Sequence, residues 1–166
     1  MKIELEQYTP EWVKLFEKER DLLKSKIGNY LLGSIEHVGS TSVPGLSAKP
    51  IVDIMFGVKD LQSSKQAIEE LTEIDYCYYP YKKEVMHWFC KPSPEHRTHH
   101  LHLIPFQSKL WEERVRFRDI LRSQPEVAGK YERLKRSLAS EFSNDREAYT
   151  DNKGPFIKAI LSNGHY

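Results

Sequence analysis

The sequence has no long hydrophobic run, little cysteine and almost no excess charge of either sign. No apolar stretch reaches the length of a signal-peptide core or a membrane span, so we expect a cytoplasmic protein. Cys77 and Cys90 lack metal-ligand spacing, which predicts reduced thiols. The formal net charge of +1 at pH 7 argues against a general nucleic-acid or membrane surface, and neither is an expected partner.

The length and the apolar patterning predict one α+β domain over residues 1–166. Strand patterns cover residues 35–38, 50–58, 76–81, 84–91 and 99–104, of which the third and fourth read as a hairpin. Helical spacing follows Thr9 and Pro10, Asp60, Lys109 and Pro125, and a last helical segment is interrupted at Gly154 and Pro155. We therefore expect a mixed sheet of about five strands, helices packed on one side and a C-terminal helical segment. The oligomeric state is left open.

A turn of small, hydroxyl-bearing residues separates the first two predicted strands. It contains Gly39, Ser40, Thr41 and Ser42. Glycine permits close approach of the backbone to a ligand, and hydroxyl and main-chain N–H groups can hold an oxyanion such as phosphate. The alternative interpretation is an ordinary turn between strands.

Asp53 lies inside the second predicted strand, between apolar neighbours. A buried carboxylate is costly unless it is paired or binds a cation, so Asp53 is a candidate metal ligand beside the anion-binding turn. It can equally bond the loop N–H groups and fix the turn. Lys49, between turn and strand, can contact a phosphate oxygen or can be a solvent-exposed lysine before a proline.

Histidines form a second group of candidate ligands in the fifth predicted strand. His100 and His102 alternate with Leu101, so they share one face and can present two imidazoles to one ion. Asp53 on a neighbouring strand is a third ligand for such a site. The alternative is a pair of hydrogen-bonded histidines, because a tetrahedral site needs ligands that the sequence does not identify.

The C-terminal part adds candidate phosphate and base contacts. Arg118 or Arg122 can brace a phosphate with a bidentate fork, or can form structural ion pairs on a helix face. Tyr149 can stack on a base, and Lys153, four residues later, can meet a phosphate as a point charge. Their spacing is also that of an ordinary surface pair.

Two motifs resemble the signatures of the GrpB family. The first reads HVGSTSVPGLSAKPIVDI and the second FRDILRSQPEVAGKYERLK, and the resemblance extends over residues 12–160. GrpB proteins are similar to the polymerase-beta-like nucleotidyltransferase superfamily, in which Gly-Ser after a first strand positions a nucleoside triphosphate. In that superfamily, a second strand carries two metal-binding carboxylates one residue apart. The resemblance thus implies a nucleotidyltransferase-like fold.

The chain keeps only part of that superfamily pattern. Gly39, Ser40 and Asp53 match, but Met55 stands where the second acid is expected, and a thioether does not ligate a hard cation such as magnesium. By analogy, His102 occupies the position of the third superfamily carboxylate. Glu84, in the predicted hairpin, is a candidate for the missing acid.

The resemblance implies a metal-assisted transfer of a nucleotidyl group from a nucleoside triphosphate to a small acceptor. Asp53 would bind magnesium or manganese, with zinc as a softer alternative, and His102 would act as a ligand or general base. One alternative is a non-catalytic module that binds a nucleotide or coenzyme A, since similar proteins are fused to dephospho-CoA kinase. Another is a histidine-centred metal site or hydrolase resting on His100 and His102.

Overall fold

A five-stranded mixed sheet forms the centre of the fold in the computed structural model, which describes residues 2–163. In chain order the strands are β1 (Leu31–Val38), β2 (Val52–Val58), β3 (Cys77–Tyr79), β4 (His87–Pro92) and β5 (Arg97–Pro105). Their spatial order is β1-β2-β5-β4-β3, in which β2 and β5 are parallel and all other neighbours are antiparallel. The expected mixed sheet and the expected hairpin, β3–β4, are confirmed.

Six helices accompany the sheet in the described part of the chain. They are α1 (Glu11–Ile27), α2 (Ala67–Thr72), α3 (Lys109–Ser123), α4 (Pro125–Glu141), α5 (Arg146–Asp151) and α6 (Gly154–Asn163). The side chain of Ser108 accepts a hydrogen bond from the Trp111 amide at the start of α3, and Pro125 begins α4. Among the residues described, no helix is both long and apolar enough to cross a membrane.

The two faces of the sheet are covered by different helices. On one face, Ile54 and Phe56 of β2 are fully buried in a cluster that contains Trp12 and Leu23 of α1 and Leu71 of α2. The expected packing of helices on one side therefore describes α1 and α2.

The opposite face carries a second cluster, in which Val38, Met55 and Ile104 pack with Trp111 of α3. The alternation of strand residues places these apolar side chains on that face, so a helix must cover them as well. The helices consequently lie on both faces, and the expectation of one side is corrected for α3.

A third cluster fixes the loop between β1 and β2. Val43 and Leu46 of this loop are buried against Leu121 of α3, Val127 of α4 and Ile160 of α6. The loop includes a single 3-10 turn, Ser40–Ser42. The C-terminal helices thus hold the loop at the end of β1, next to the start of β2.

Candidate functional site

Two rows of side chains cross the sheet on the face that α3 partly covers. The strand register defines their members. The first row is Val38, Asp53, His100, Cys90 and Cys77, and the second is Glu36, Met55, His102, Trp88 and Tyr79. The parallel pairing of β2 with β5 therefore brings Asp53 beside His100, with His102 two residues further along β5 on the same face.

Asp53 is held by both histidines. Its Oδ1 lies 3.3 Å from Nδ1 of His100 and 3.4 Å from Nε2 of His102. Burial alone would raise the pKa of Asp53, but the hydrogen bonds from His100 and His102 hold it well below its usual range. The Asp53 side chain keeps 28% of its surface exposed, so an ionised carboxylate faces solvent at this point.

His102 connects Asp53 to Arg114, a residue that the sequence did not single out. Nη1 of Arg114 lies 3.2 Å from Nδ1 of His102. Because Arg114 can only donate, Nδ1 of His102 is the acceptor and Nε2 carries the proton that bonds to Asp53. Burial and the charge of Arg114 lower the pKa of His102 to about 4, which keeps the ring neutral. Arg114 occurs on α3 among three other arginines, so no sequence signal distinguishes it.

The loop at Gly39 is built tightly against Asp53. Gly39 has φ 74° and ψ −177°, and a Cβ atom there would lie 2.4 Å from Oδ2 of Asp53. The hydroxyl of Ser42 donates to the Gly39 carbonyl, and that of Thr41 lies 2.9 Å from Nε2 of His37. The Ser42 N–H also donates to the Gly39 carbonyl, so the hydroxyls of Thr41 and Ser42 and the Ser42 amide all take part in hydrogen bonds within the protein.

Lys49 meets Tyr149 and Lys153 although it is far from them in the chain, and both lysines interact electrostatically with Asp53. Lys49 and Lys153 place their Nζ atoms 5.0 and 4.5 Å from the centre of the buried Tyr149 ring. Burial and the charge of Lys49 lower the pKa of Lys153 to about 8, whereas Asp53 raises it. We call the group formed by the Ser40–Ser42 turn, Asp53, Lys49 and Lys153 the Asp53 pocket.

Lys135 of α4 adds a further cation near this pocket and lies against Tyr131 of the same helix; both occur in the second family motif. Lys135 is 1% exposed, donates to the Ser47 carbonyl and lies 5.2 Å from the Tyr131 ring centre. Burial, then the charge of Lys153, lowers the pKa of Lys135 to about 7. The Tyr131 hydroxyl bonds to Ser40, and burial raises its pKa.

Arg118 and Glu84, two further candidate residues, are not among the side chains that contact Asp53. Nη1 of buried Arg118 donates to the His37 carbonyl at 3.1 Å and lies 3.5 Å from a Glu36 oxygen, so its contacts tie α3 to β1. Neighbouring Arg122 donates to the Ser42 carbonyl and supports the loop from behind. Glu84 is exposed in the turn before β4 and is not one of the side chains that contact Asp53.

A pre-formed transition-metal cluster is absent from the described residues. Within residues 2–163, no group of three or more His, Cys, Asp or Glu side chains is arranged to hold a metal ion. His100 and His102 do share a face with Asp53, as their alternation predicts, but both rings contact one carboxylate oxygen. Asp53 is therefore the residue that could offer oxygen ligands to a cation here.

Comparison with known proteins identifies the family. The family model described as "GrpB protein" matches residues 2–163. The chain is 37% identical over 160 residues to the "Glutamate-rich protein GrpB" of Alkalihalophilus pseudofirmus, covering 93% of this chain and 91% of that protein. It is 30% identical to the "UPF0157 protein YqkA" of Bacillus subtilis, of whose length the match spans 47%.

A solved structure agrees with this assignment. The crystal structure of "conserved protein GrpB" from Enterococcus faecalis superposes with a TM-score of 0.86 at 33% identity, and the match covers 96% of each chain. The motif around Gly39 and Asp53 lies within both the family match and the matched fold. The chain belongs to the GrpB family.

Proposed function

We propose that this protein is a metal-assisted nucleotidyltransferase, which moves a nucleotidyl group from a nucleoside triphosphate to a small acceptor. One observation carries the proposal: an ionised, partly exposed carboxylate, Asp53, lies near two half-buried lysines and directly beside a tight glycine-containing loop. The lysines and the carboxylate each favour a different kind of ligand.

The lysines favour a polyanionic ligand. Burial lowers the pKa of both Lys49 and Lys153, the charge of Lys49 lowers that of Lys153 further, and Asp53 raises both, so these cations lie near one carboxylate. Gathering like charges in a half-buried site costs free energy, which an anion with several charges recovers on binding. The main-chain N–H groups of Ser40 and Thr41 add donors at the same place, whereas that of Ser42 donates to the Gly39 carbonyl. A triphosphate fits this charge better than a single carboxylate does.

Asp53 points to a cation rather than to anion binding alone. A carboxylate in the middle of a phosphate pocket repels the phosphate unless a cation lies between them. Magnesium is commonly bound by one or two carboxylates together with substrate phosphates, and Asp53 meets that minimum. Bound magnesium or manganese would neutralise charge on the phosphoryl oxygens during in-line displacement. Met55 is fully buried at the position where the superfamily has a second acid. In this proposal, Asp53 is therefore the protein side chain that binds the metal.

The remaining residues bind and orient. Lys49 and Lys153 would contact phosphate oxygens, and His100 and His102 keep Asp53 ionised and fixed in direction. Both ring nitrogens of His102 are engaged, and its pKa is about 4, so the geometry favours a positioning role over that of general base. In the transfer, an acceptor oxygen bonds to the α-phosphorus, the bond to pyrophosphate breaks and the acceptor proton passes to solvent.

A second candidate function is a nucleotide- or coenzyme A-binding module without turnover. Met55 favours it, because the two-metal arrangement requires a second carboxylate at this position. The lysines and the loop would then bind phosphates, and Asp53 would only fix the loop next to Gly39.

Thermal unfolding separates the two functions. The protein is heated with ATP, GTP, CTP, UTP or coenzyme A, each with and without magnesium, manganese or zinc. A ligand at a hundred times its dissociation constant stabilises the folded state by about 2.7 kcal/mol. We expect a shift that requires both nucleotide and metal, is lost in Asp53→Asn and is retained in Asp21→Asn, which neutralises an exposed acid on α1.

Turnover is measured alongside as pyrophosphate released in the presence of a mixed pool of small hydroxyl acceptors. Metal-dependent release that disappears in Asp53→Asn supports the transferase. A metal-independent shift without release in any condition indicates the binding module. No shift with any nucleotide or with coenzyme A overturns both.

A further inference from the structure

A cavity lies beside the Asp53 pocket, and Lys49 forms part of its wall. Its volume is about 410 Å³, within the range of small-molecule sites. The charged residues that line it are Lys2, Lys49, Arg97, Arg146, Glu4 and Glu6. Four formal positive charges thus meet two carboxylates. We call it the Lys49 cavity.

Three of these cations come together from distant parts of the chain. Lys49 precedes β2, Arg97 begins β5 and Arg146 begins α5. Burial lowers the pKa of Lys49, and the charges of Arg146 and Arg97 lower it further. Burial and the charge of Arg97 also lower the pKa of Arg146. Bringing these cations together costs free energy, and a bound anion reduces that cost.

Arg97 is already oriented for such an anion. Its Nε donates to the Pro94 carbonyl at 3.0 Å, and its guanidinium lies 5.5 Å from the centre of the Trp88 ring. Both contacts restrict the side chain, so less conformational entropy is lost when it binds a ligand. A guanidinium held in this way is suited to bidentate recognition of phosphate or carboxylate.

The Lys49 cavity and the Asp53 pocket share residues along their boundary. Lys49 lines the cavity and also interacts with Asp53. The guanidinium of Arg97 lies over the Trp88 ring. The centre of that ring is 5.0 Å from the ring centre of His100, the histidine that contacts Asp53. A molecule anchored by an anionic group in the cavity can therefore extend toward the carboxylate.

We propose that the Lys49 cavity is a second anion subsite, which binds the acceptor through a phosphate or carboxylate group. The acceptor is then a small phosphorylated or carboxylated molecule whose reacting oxygen reaches the Asp53 pocket. The role as acceptor site rests on the transferase proposed above, whereas the anion site itself does not.

Inorganic phosphate and malonate serve as probes for the two anion types. Each is titrated into ¹⁵N-labelled protein without nucleotide, and the Nε–H signals of Arg97 and Arg146 report binding at this cavity. We expect saturable shifts of both signals. In the double variant Arg97→Gln/Arg146→Gln, affinity falls by about tenfold or more, because two charge-assisted hydrogen bonds are lost. The control Arg133→Gln, an exposed residue on α4, keeps the wild-type affinity.

The outcomes separate this proposal from the proposed function. Shifts of Arg97 and Arg146 in a protein that binds no nucleotide leave the anion site standing and remove its role as acceptor site. Nucleotide binding without any shift of these two signals at millimolar phosphate and malonate overturns the subsite and leaves the nucleotide site intact. If the double variant does not fold, two measurements decide whether the anion subsite exists. They are the wild-type titration and the same titration of Arg97→Lys/Arg146→Lys, which keeps the charges.

Discussion

Replacing Gly39 by alanine tests the contact between the loop and Asp53. The new Cβ would lie 2.4 Å from Oδ2 of Asp53, far closer than non-bonded atoms approach. Either the loop or the carboxylate must move, and the carboxylate is the lighter group. Its displacement would lengthen the hydrogen bonds to His100 and His102, which are already 3.3 and 3.4 Å.

Two contributions set the size of the effect. The backbone of Gly39, at φ 74° and ψ −177°, is in a region that only glycine adopts readily, so a side chain costs about 1–3 kcal/mol. Weakening two long, partly exposed hydrogen bonds adds about 1–3 kcal/mol. Gly45 is the matched control, because its φ is +84° and a Cβ there meets nothing within 4 Å. Gly45→Ala should show the backbone cost alone.

Urea unfolding at pH 7, followed by tryptophan fluorescence, gives the free energy of unfolding of each variant. We expect Gly39→Ala to lose about 1–3 kcal/mol more than Gly45→Ala, and to lose the nucleotide-dependent thermal shift that Gly45→Ala retains. Equal losses in the two variants, with the thermal shift preserved in both, would refute the idea that Gly39 exists to admit the Asp53 carboxylate.

Two further predictions concern buried cations. The pKa of Lys135 is about 7 in the folded protein against 10.5 ordinarily, so the folded state binds fewer protons between these values and stability rises with pH across that window. Lys135→Met should reduce this slope by up to about 1.4 kcal/mol per pH unit in urea unfolding between pH 7 and 10, and an unchanged slope contradicts it. Arg118→Met should cost about 1–3 kcal/mol, because it removes the buried hydrogen bond to the His37 carbonyl and the ion pair with Glu36. Calorimetric nucleotide affinity should stay within a few-fold of wild type in Arg118→Met; a large loss would assign Arg118 to the ligand.

Local patterns predicted most of the secondary structure and the face of each strand residue. The alternation of His100 and His102 placed both on one face, and Pro125 marked the start of α4. These features depend on residues that are near each other in the chain. Propensity and periodicity encode them directly.

Local patterns did not predict which residues from distant parts of the chain come together in the fold. Arg114 reaches His102 only because α3 crosses the second face of the sheet, and Lys135 reaches Ser47 only because α4 packs against the loop. The insertion of β5 between β2 and β4 has no local signature either, yet it places His100 beside Asp53.

The burial of Met55 has a consequence for how this site can change over time. Met55 is fully enclosed in the cluster that includes Trp111 of α3 and Trp88 of β4. An aspartate at this position would be sealed beneath a helix, where an unpaired carboxylate costs several kcal/mol. A two-carboxylate site is therefore not one substitution away from this protein. To reach it, a lineage would first have to loosen or move α3, and the intermediate proteins would lose part of their core before they gained a ligand.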